Sequence, residues 1–436
     1  MFSAIFKKLS PSAGGRKFVS DTLWNIGAMA IVALSGLLFN AVILRYRGAA
    51  VLAVFNIAYT IYLLVSQLAV GGVHASVLSY ASRRAGNPRC CNTILRSALL
   101  LSLLLAVAVA SLCALLLPLV SLGYGSEVMH GVIAVLPGLI IFSIDKVLQM
   151  YMNAMRYMRM LAIVQALRGI AILAWVCGVL LAGLPSRWLP WAFTAAEVPV
   201  LLVSALLISA GCPLVSNWRL DASMVAWIKR HWSFGWRGCL SGVLVSANGH
   251  LDVMLLGILC KSRPEVVGIY SFCAMYAEGF SQFIAVLRRQ LDPIWGRLFA
   301  AGDVAGMEAV ARNIKRVIYP LMSVAGVGLC IIFPFWLRLL RPESDWILGG
   351  WIFGLLILGY VITSPYKSFV GIMLQGNRPG SYTLLIGSTL LCNALLNVLF
   401  YVLIGASGVA AATVAALIFQ SILLVIFCRK VFGVRL

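Results

Sequence analysis

Five charged side chains, Asp145, Lys146, Asp252, Glu278 and Lys367, fall inside long apolar runs of this sequence. At the centre of a bilayer an isolated charge costs roughly 2.5–3.5 kcal/mol on insertion scales. Charges at that depth therefore mark pairing, ion passage or the grip on a charged ligand. The lysines suit an anionic ligand, and Asp252 and Glu278 suit a coupling ion, H+ or Na+. Each has a plainer alternative. Lys367 could close a salt bridge with Asp145, Lys146 and Arg288 could snorkel to headgroups from nearby helix ends, and Asp252, close to Asn248 and His250, could only fix packing. Arg289 shares the position of Arg288 near a helix end, and Glu197, near Pro199, reads as a structural partner. Pro365 precedes Lys367 by two residues and would interrupt helix hydrogen bonding, so a kinked gate is expected there. Neutral polar residues, Asn25, Asn40, Asn56, Gln67 and Gln282, could line a path for sugars or bond helix to helix.

Other chemistry is scarce. The 11 cysteines form no CxxC pair and read as small apolar residues, and the four histidines show no zinc-ligand spacing. No Gly-Lys dipeptide occurs, which rules out a Walker A loop in this chain. No cofactor and no metal are expected, and active transport would draw on an ion or substrate gradient.

The elements that must hold these residues are membrane helices. Apolar residues make up 62% of 436 positions, charged residues 11%, and mean hydropathy is +1.00, beyond what a soluble domain carries. Charge clusters separate apolar stretches of about 20 residues, the length that crosses a bilayer core. The expected spans are 22–44, 51–75, 94–117, 129–152, 160–183, 187–209, 236–260, 266–287, 317–338, 346–375, 381–402 and 406–427. The fold class expected is all-α polytopic with about twelve transmembrane helices. The first 20 residues hold Lys7, Lys8, Arg16 and Lys17 without a long apolar core, so no cleaved signal peptide is read.

With both termini in the cytoplasm, 27 of the 34 Lys and Arg residues fall on the cytoplasmic side, which the positive-inside rule favours. The net charge of +21 follows from those retention signals and needs no nucleic-acid partner. Trp188, Trp191, Trp336, Trp346 and Trp351 lie near the outer boundary and read as an aromatic belt.

Internal repetition divides the chain. The stretch 51–70 aligns with 266–286 at an offset of about 215, which sets Gln67 on Gln282. MNAMRYMRM (152–160) aligns with LQGNRPGSY (374–382) at 222, which sets Arg156 on Arg378 and Asp145 on Lys367. Six crossings return a chain to its starting side, so two such halves relate by an axis along the membrane normal, with the substrate path expected between them. The organisation is then a cytoplasmic segment 1–20, an N-lobe 21–210, a basic interfacial linker 211–234, a C-lobe 235–428 and a tail 429–436.

The run NIGAMAIVALSGLLFNAVILRYRGAAVLAVFNIAY, the stretch HLDVMLLGILCKSRPEVVGIYSFCAMY (250–276) and the turn LQGNRPGSY resemble the polysaccharide or O-antigen (Wzx-type) flippases of the multidrug/oligosaccharidyl-lipid/polysaccharide (MOP) superfamily. The resemblance implies a MATE-like pair of six-helix lobes in the bacterial inner membrane. It also implies alternating access and an undecaprenyl-diphosphate-linked oligosaccharide as substrate, with membrane lipids and a polysaccharide polymerase as partners. Lys367 becomes the foremost diphosphate contact, with Asp145, Lys146, Arg288, Arg289, Asn25, Asn56, Gln67 and Gln282 as cavity candidates. Two other functions stay open: a multidrug or small-cation antiporter, which the cavity lysines disfavour, and a membrane-embedded glycan polymerase or ligase, for which the outer connections are short.

Overall fold

The computed structural model describes residues 13–84, 87–211, 221–343, 345–376 and 378–436; the expected cytoplasmic segment 1–20 and linker 211–234 lie partly outside the described residues. The described chain is helical throughout. In order it forms α1 (Ala13–Arg47), α2 (Ala49–Val70), α3 (Val73–Ser82), α4 (Pro88–Leu115), α5 (Leu117–Tyr124), α6 (Ser126–Ala154) and α7 (Met158–Leu181). A 3-10 turn, Ser186–Trp191, leads to α8 (Ala192–Gly211). Then follow α9 (Ala222–Leu259), α10 (Pro264–Ala301), α11 (Val304–Leu340), α12 (Trp346–Phe369), α13 (Ile372–Gln375), α14 (Pro379–Ile404) and α15 (Ala406–Phe432).

Among the described residues, 11 helices are long and apolar enough to cross a membrane. The expected span 266–287 falls in α10, which is 38 residues long, but Glu278, Ser271, Ser281 and Gln282 make it the most polar of the twelve. Leucines and valines stand outward on these helices, Leu181 with 89% of its surface exposed, because their solvent is hydrocarbon.

The chain forms two compact units. One takes the residues up to Val42 and Ile61–Val243; the other takes Ile43–Thr60 and Leu244–Leu436. Segment 43–60 is tied into the second unit by polar contacts. Arg45 Nη1 donates to the Leu340 carbonyl at 3.1 Å, Arg341 Nη1 to that of Leu44 at 3.4 Å, and Asn56 Nδ2 to Ser271 Oγ at 2.9 Å. Gly268 permits the tightest contact there, since a Cβ at that position would run into the carbonyl of Ala49.

Helix termini show the repeat directly. Asn87 caps α4 by accepting from Cys90 N at 3.1 Å, and Asp303 caps α11 by accepting from Gly306 N at 2.7 Å, 216 residues later. Before α7, the Tyr157 amide reaches back to the Met152 carbonyl at 2.8 Å; before α14, the Arg378 amide reaches Met373 at 2.9 Å. Tyr157 and Arg378 are both N-caps, so this turn recurs at 221 residues. The offset of 222 expected from the sequence is therefore corrected by one. Counting back six residues from Met152 and Met373, Lys146 and not Asp145 is the counterpart of Lys367.

Two other segments differ from their sequence-level description. The basic stretch between the expected spans 266–287 and 317–338 is helical on both sides of a turn at Gly302–Asp303. From Ala222 the linker continues into the next span as the single helix α9. Its buried positions, Met224, Trp227, His231 and Gly235, recur every three or four residues and face the first unit. Gly235 lies backbone to backbone against Gly72, at the break between α2 and α3, where a Cβ on either glycine would overlap the other chain. His231 is fixed at both ring nitrogens, with Nδ1 2.6 Å from Ser76 Oγ and Nε2 donating to the Ile94 carbonyl at 3.2 Å.

Candidate functional site

In the first unit, intramembrane charge gathers where α6, α7 and α8 meet α2. Arg168 Nη2 on α7 donates to Glu197 Oε2 on α8 at 2.7 Å, and Tyr62 on α2 donates to Glu197 Oε1 at 3.2 Å. Asp145, with no exposed surface, lies close to the Glu197 carboxyl, and among the described residues neither of its oxygens receives a hydrogen bond. Lys146 lies within electrostatic reach of Glu197 and Arg168. The Phe142 ring, one helical turn earlier on α6, carries both cations, Arg168 at 5.0 Å and Lys146 at 6.0 Å from its centroid. Asp145 and Lys146 thus share one cluster with Glu197, joined by Arg168. Arg168 is the member that reading the sequence misses, and its place near the middle of Met158–Leu181 is the signal that could have found it.

In the second unit, Lys367 lies on α12 with its Nζ 4.4 Å from the centroid of Tyr360, two turns earlier, and its nearest charge of opposite sign is Glu278 on α10. Neither Lys367 nor Lys146 forms an ion pair within its own unit among the described residues. Two more cations sit on tyrosine faces, Lys315 over Tyr366 at 4.7 Å and Arg288 over Tyr382 at 5.9 Å. The side chain of Arg289 lies outside the described residues.

Asp252 on α9 collects four donors. Asn393 Nδ2 and Asn397 Nδ2 reach its Oδ1 at 2.7 Å each, and Thr413 Oγ1 and Tyr270 OH reach its Oδ2 at 2.7 and 3.3 Å. The amide oxygens of Asn393 and Asn397 are buried and receive no donor among the described residues. Four helices, α9, α10, α14 and α15, thus converge on one carboxylate. The sequence signal for this set was Asn393 and Asn397, one helical turn apart in an otherwise apolar run.

The remaining sequence candidates are dispersed. Asn25 and Gln67 are half-buried and Gln282 is exposed. Asn56 is buried and bonded to Ser271; the two are 215 residues apart, equivalent positions of the repeat in direct contact. Asn40 donates back to the Gly36 carbonyl at 3.0 Å, a contact within α1.

The described residues thus form a bundle of membrane-length helices with half-buried cations on aromatic rings and a four-donor carboxylate, and this fold is shared with solved structures. An inward-facing multidrug resistance MATE family transporter of the MOP superfamily matches with a TM-score of 0.77 at 14% identity, over 92% of this chain and 94% of that one. Lipid II flippase MurJ, in an inward closed conformation, matches at 0.69 and 14% identity over 94% of this chain and 87% of that one. A Vibrio cholerae MATE transporter, VcmN with an Asp-to-Asn substitution, matches at 0.66 and 13% identity over 96% and 98%. No curated protein sequence matches the chain. Residues 16–291 match the polysaccharide biosynthesis protein family, and the chain belongs to that family.

Proposed function

We propose that this protein flips an undecaprenyl-diphosphate-linked oligosaccharide, an O-antigen or exopolysaccharide repeat unit, across the bacterial inner membrane, with both termini cytoplasmic and without catalysing a covalent step. The observation that carries the reading is the pair Lys146 and Lys367. They occupy one position of the repeat, each rests near an aromatic ring of its own helix, and neither is neutralised by an ion pair in its own unit. A lysine kept in hydrocarbon is costly, and a carboxylate that is near without pairing, Glu197 for Lys146 and Glu278 for Lys367, offsets only part of that cost; a ligand that brings negative charge offsets more. Family membership supports a glycan-bearing ligand, and the likeness to a lipid II flippase supports a lipid-linked one.

Coupling to a cation gradient is the second part of the reading. Asp252 with Thr413 Oγ1 and the two donorless amide oxygens of Asn393 and Asn397 makes a set of oxygen ligands suited to a hard cation such as sodium. Bound there, the ion would supply positive charge to a carboxylate that is otherwise held by neutral donors. Glu278, beside Lys367, is the alternative carrier of H+.

The experiment is reconstitution. Purified protein in proteoliposomes is given a lipid-linked oligosaccharide in one leaflet, and its arrival in the other is followed with a lectin or glycosidase that cannot cross. Arrival that depends on the protein and on the diphosphate supports the reading. Transport of organic cations in place of the lipid would replace it with an antiporter.

A further inference from the structure

The first unit carries a second cationic feature, away from its intramembrane charges. The ring of Trp227 on α9 is buried, yet two guanidinium groups rest on it. Arg84, from the turn after α3, has its Cζ 4.9 Å from the ring centroid, and Arg230, one turn along α9, has its Cζ at 4.8 Å. Tyr80 seals the other contacts of this patch, meeting Trp227 at 5.5 Å, His231 at 5.9 Å and Phe234 at 5.6 Å between ring centroids. The two arginines converge on one indole from different segments of the chain, and neither makes an ion pair among the described residues. Asp221, the nearest acid along the helix, is occupied as the cap of α9, where it accepts from Met224 N at 2.7 Å.

The outward face of the same helix has a composition that fits a membrane surface. Val225, Lys229, Trp232 and Trp236 form a stripe at spacings of four, three and four, all exposed, with Trp236 at 70%. Tryptophan and lysine at these positions place the helix among headgroups, with indoles toward the acyl chains and ammonium groups toward phosphates. His231, bonded to Ser76 and Ile94, and the Gly235–Gly72 backbone contact hold that helix against its unit, so the arginine pair is presented on a fixed platform.

We propose that Arg84 and Arg230, braced by Trp227, form a binding site for the headgroup phosphate of an anionic phospholipid. Two guanidinium groups stacked on an aromatic ring keep their N–H edges free, and those edges match phosphate oxygens. The charge favours an anionic lipid over a zwitterionic one, and exposed Trp232 and Trp236 on the same helix, which suit a membrane boundary, favour a lipid over a free anion.

The test uses the full-length protein in detergent, titrated with phosphatidylglycerol or phosphatidylcholine and read by native mass spectrometry and by the shift in Tm. Phosphatidylglycerol is expected to bind and to raise Tm, and phosphatidylcholine is not. In the Arg84→Gln/Arg230→Gln variant, affinity for phosphatidylglycerol is expected to fall about thirtyfold, from two charges near a membrane surface. Arg187→Gln, which removes one exposed charge elsewhere in the same unit, should leave affinity unchanged. Arg230 is exposed, so Arg230→Gln alone serves as the variant that keeps the fold, which a cooperative melting transition without lipid verifies. Unchanged affinity in both Gln variants, equal binding of phosphatidylcholine, or one-for-one displacement of phosphatidylglycerol by farnesyl diphosphate would overturn the proposal; the last would give the site to the transported lipid.

Discussion

Arg168 and Glu197, on adjacent helices of the first unit, meet at 2.7 Å, and Glu197 also accepts from Tyr62 while Asp145 lies against it. Removing one partner leaves the other charge buried without compensation, a loss of about 3–5 kcal/mol in comparable pairs. Glu197→Ala is therefore expected to lower Tm sharply. Arg168→Met with Glu197→Leu should recover most of that loss, because both charges of the bridge are removed together. The check is thermal unfolding of the wild type and the two variants in one detergent; equal loss in the single and double variants would show that the pair does not account for the stability.

Gly268 offers a separate test of the packing of segment 43–60. A methyl group there would meet the carbonyl of Ala49, so Gly268→Ala forces the backbones apart. The expected cost is about 1–3 kcal/mol, and Gly279→Ala on the same helix, where a Cβ has open space, should be neutral or stabilising.

How much of this was legible beforehand differs by feature. The helical class and most spans follow from hydropathy, because a membrane imposes one length on every crossing. The repeat was legible too, but its register near Arg156 was off by one. Sequence similarity at Arg156 and Arg378 competes with the backbone turn, and the turn equates Tyr157 with Arg378. Charge clusters were less legible. Glu197 reads as a structural partner, which its ion pair bears out, but that its partner is Arg168, 29 residues earlier, follows only from the packing of their helices. Likewise Asp252 was visible as an intramembrane acid, but its four donors come from three helices spread over residues 270–413.

His231 gives the linker a pH dependence of defined sign. Burial pushes its imidazole down to about 4 from 6.5. Above pH 6.5 the ring is neutral in folded and unfolded chain alike, and it adds no slope. Between pH 6.5 and about 4 only the unfolded chain takes up the proton, so stability falls with falling pH by up to about 3 kcal/mol and then levels. Denaturation midpoints across that window should show the slope in the wild type and a weaker one in His231→Leu.

For Asp252 the expectation concerns coupling. Asp252→Asn keeps a polar group among Asn393, Asn397 and Thr413 but removes the charge that a cation requires. Lipid translocation in proteoliposomes should lose its dependence on a sodium or proton gradient while insertion is retained. A gradient dependence equal to wild type would remove Asp252 from the coupling scheme.

The central claim, that Lys146 and Lys367 hold the negative charge of a lipid-linked glycan, is tested most directly by translocation in variants at the two positions. Lys367→Ala and Lys146→Ala are compared with Lys367→Arg and Lys146→Arg at matched insertion, following arrival of diphosphate-linked oligosaccharide in the far leaflet. The account predicts at least a tenfold loss of rate in each alanine variant, the equivalent of about 1.4 kcal/mol, with partial recovery by arginine. Wild-type rates in both alanine variants would contradict it.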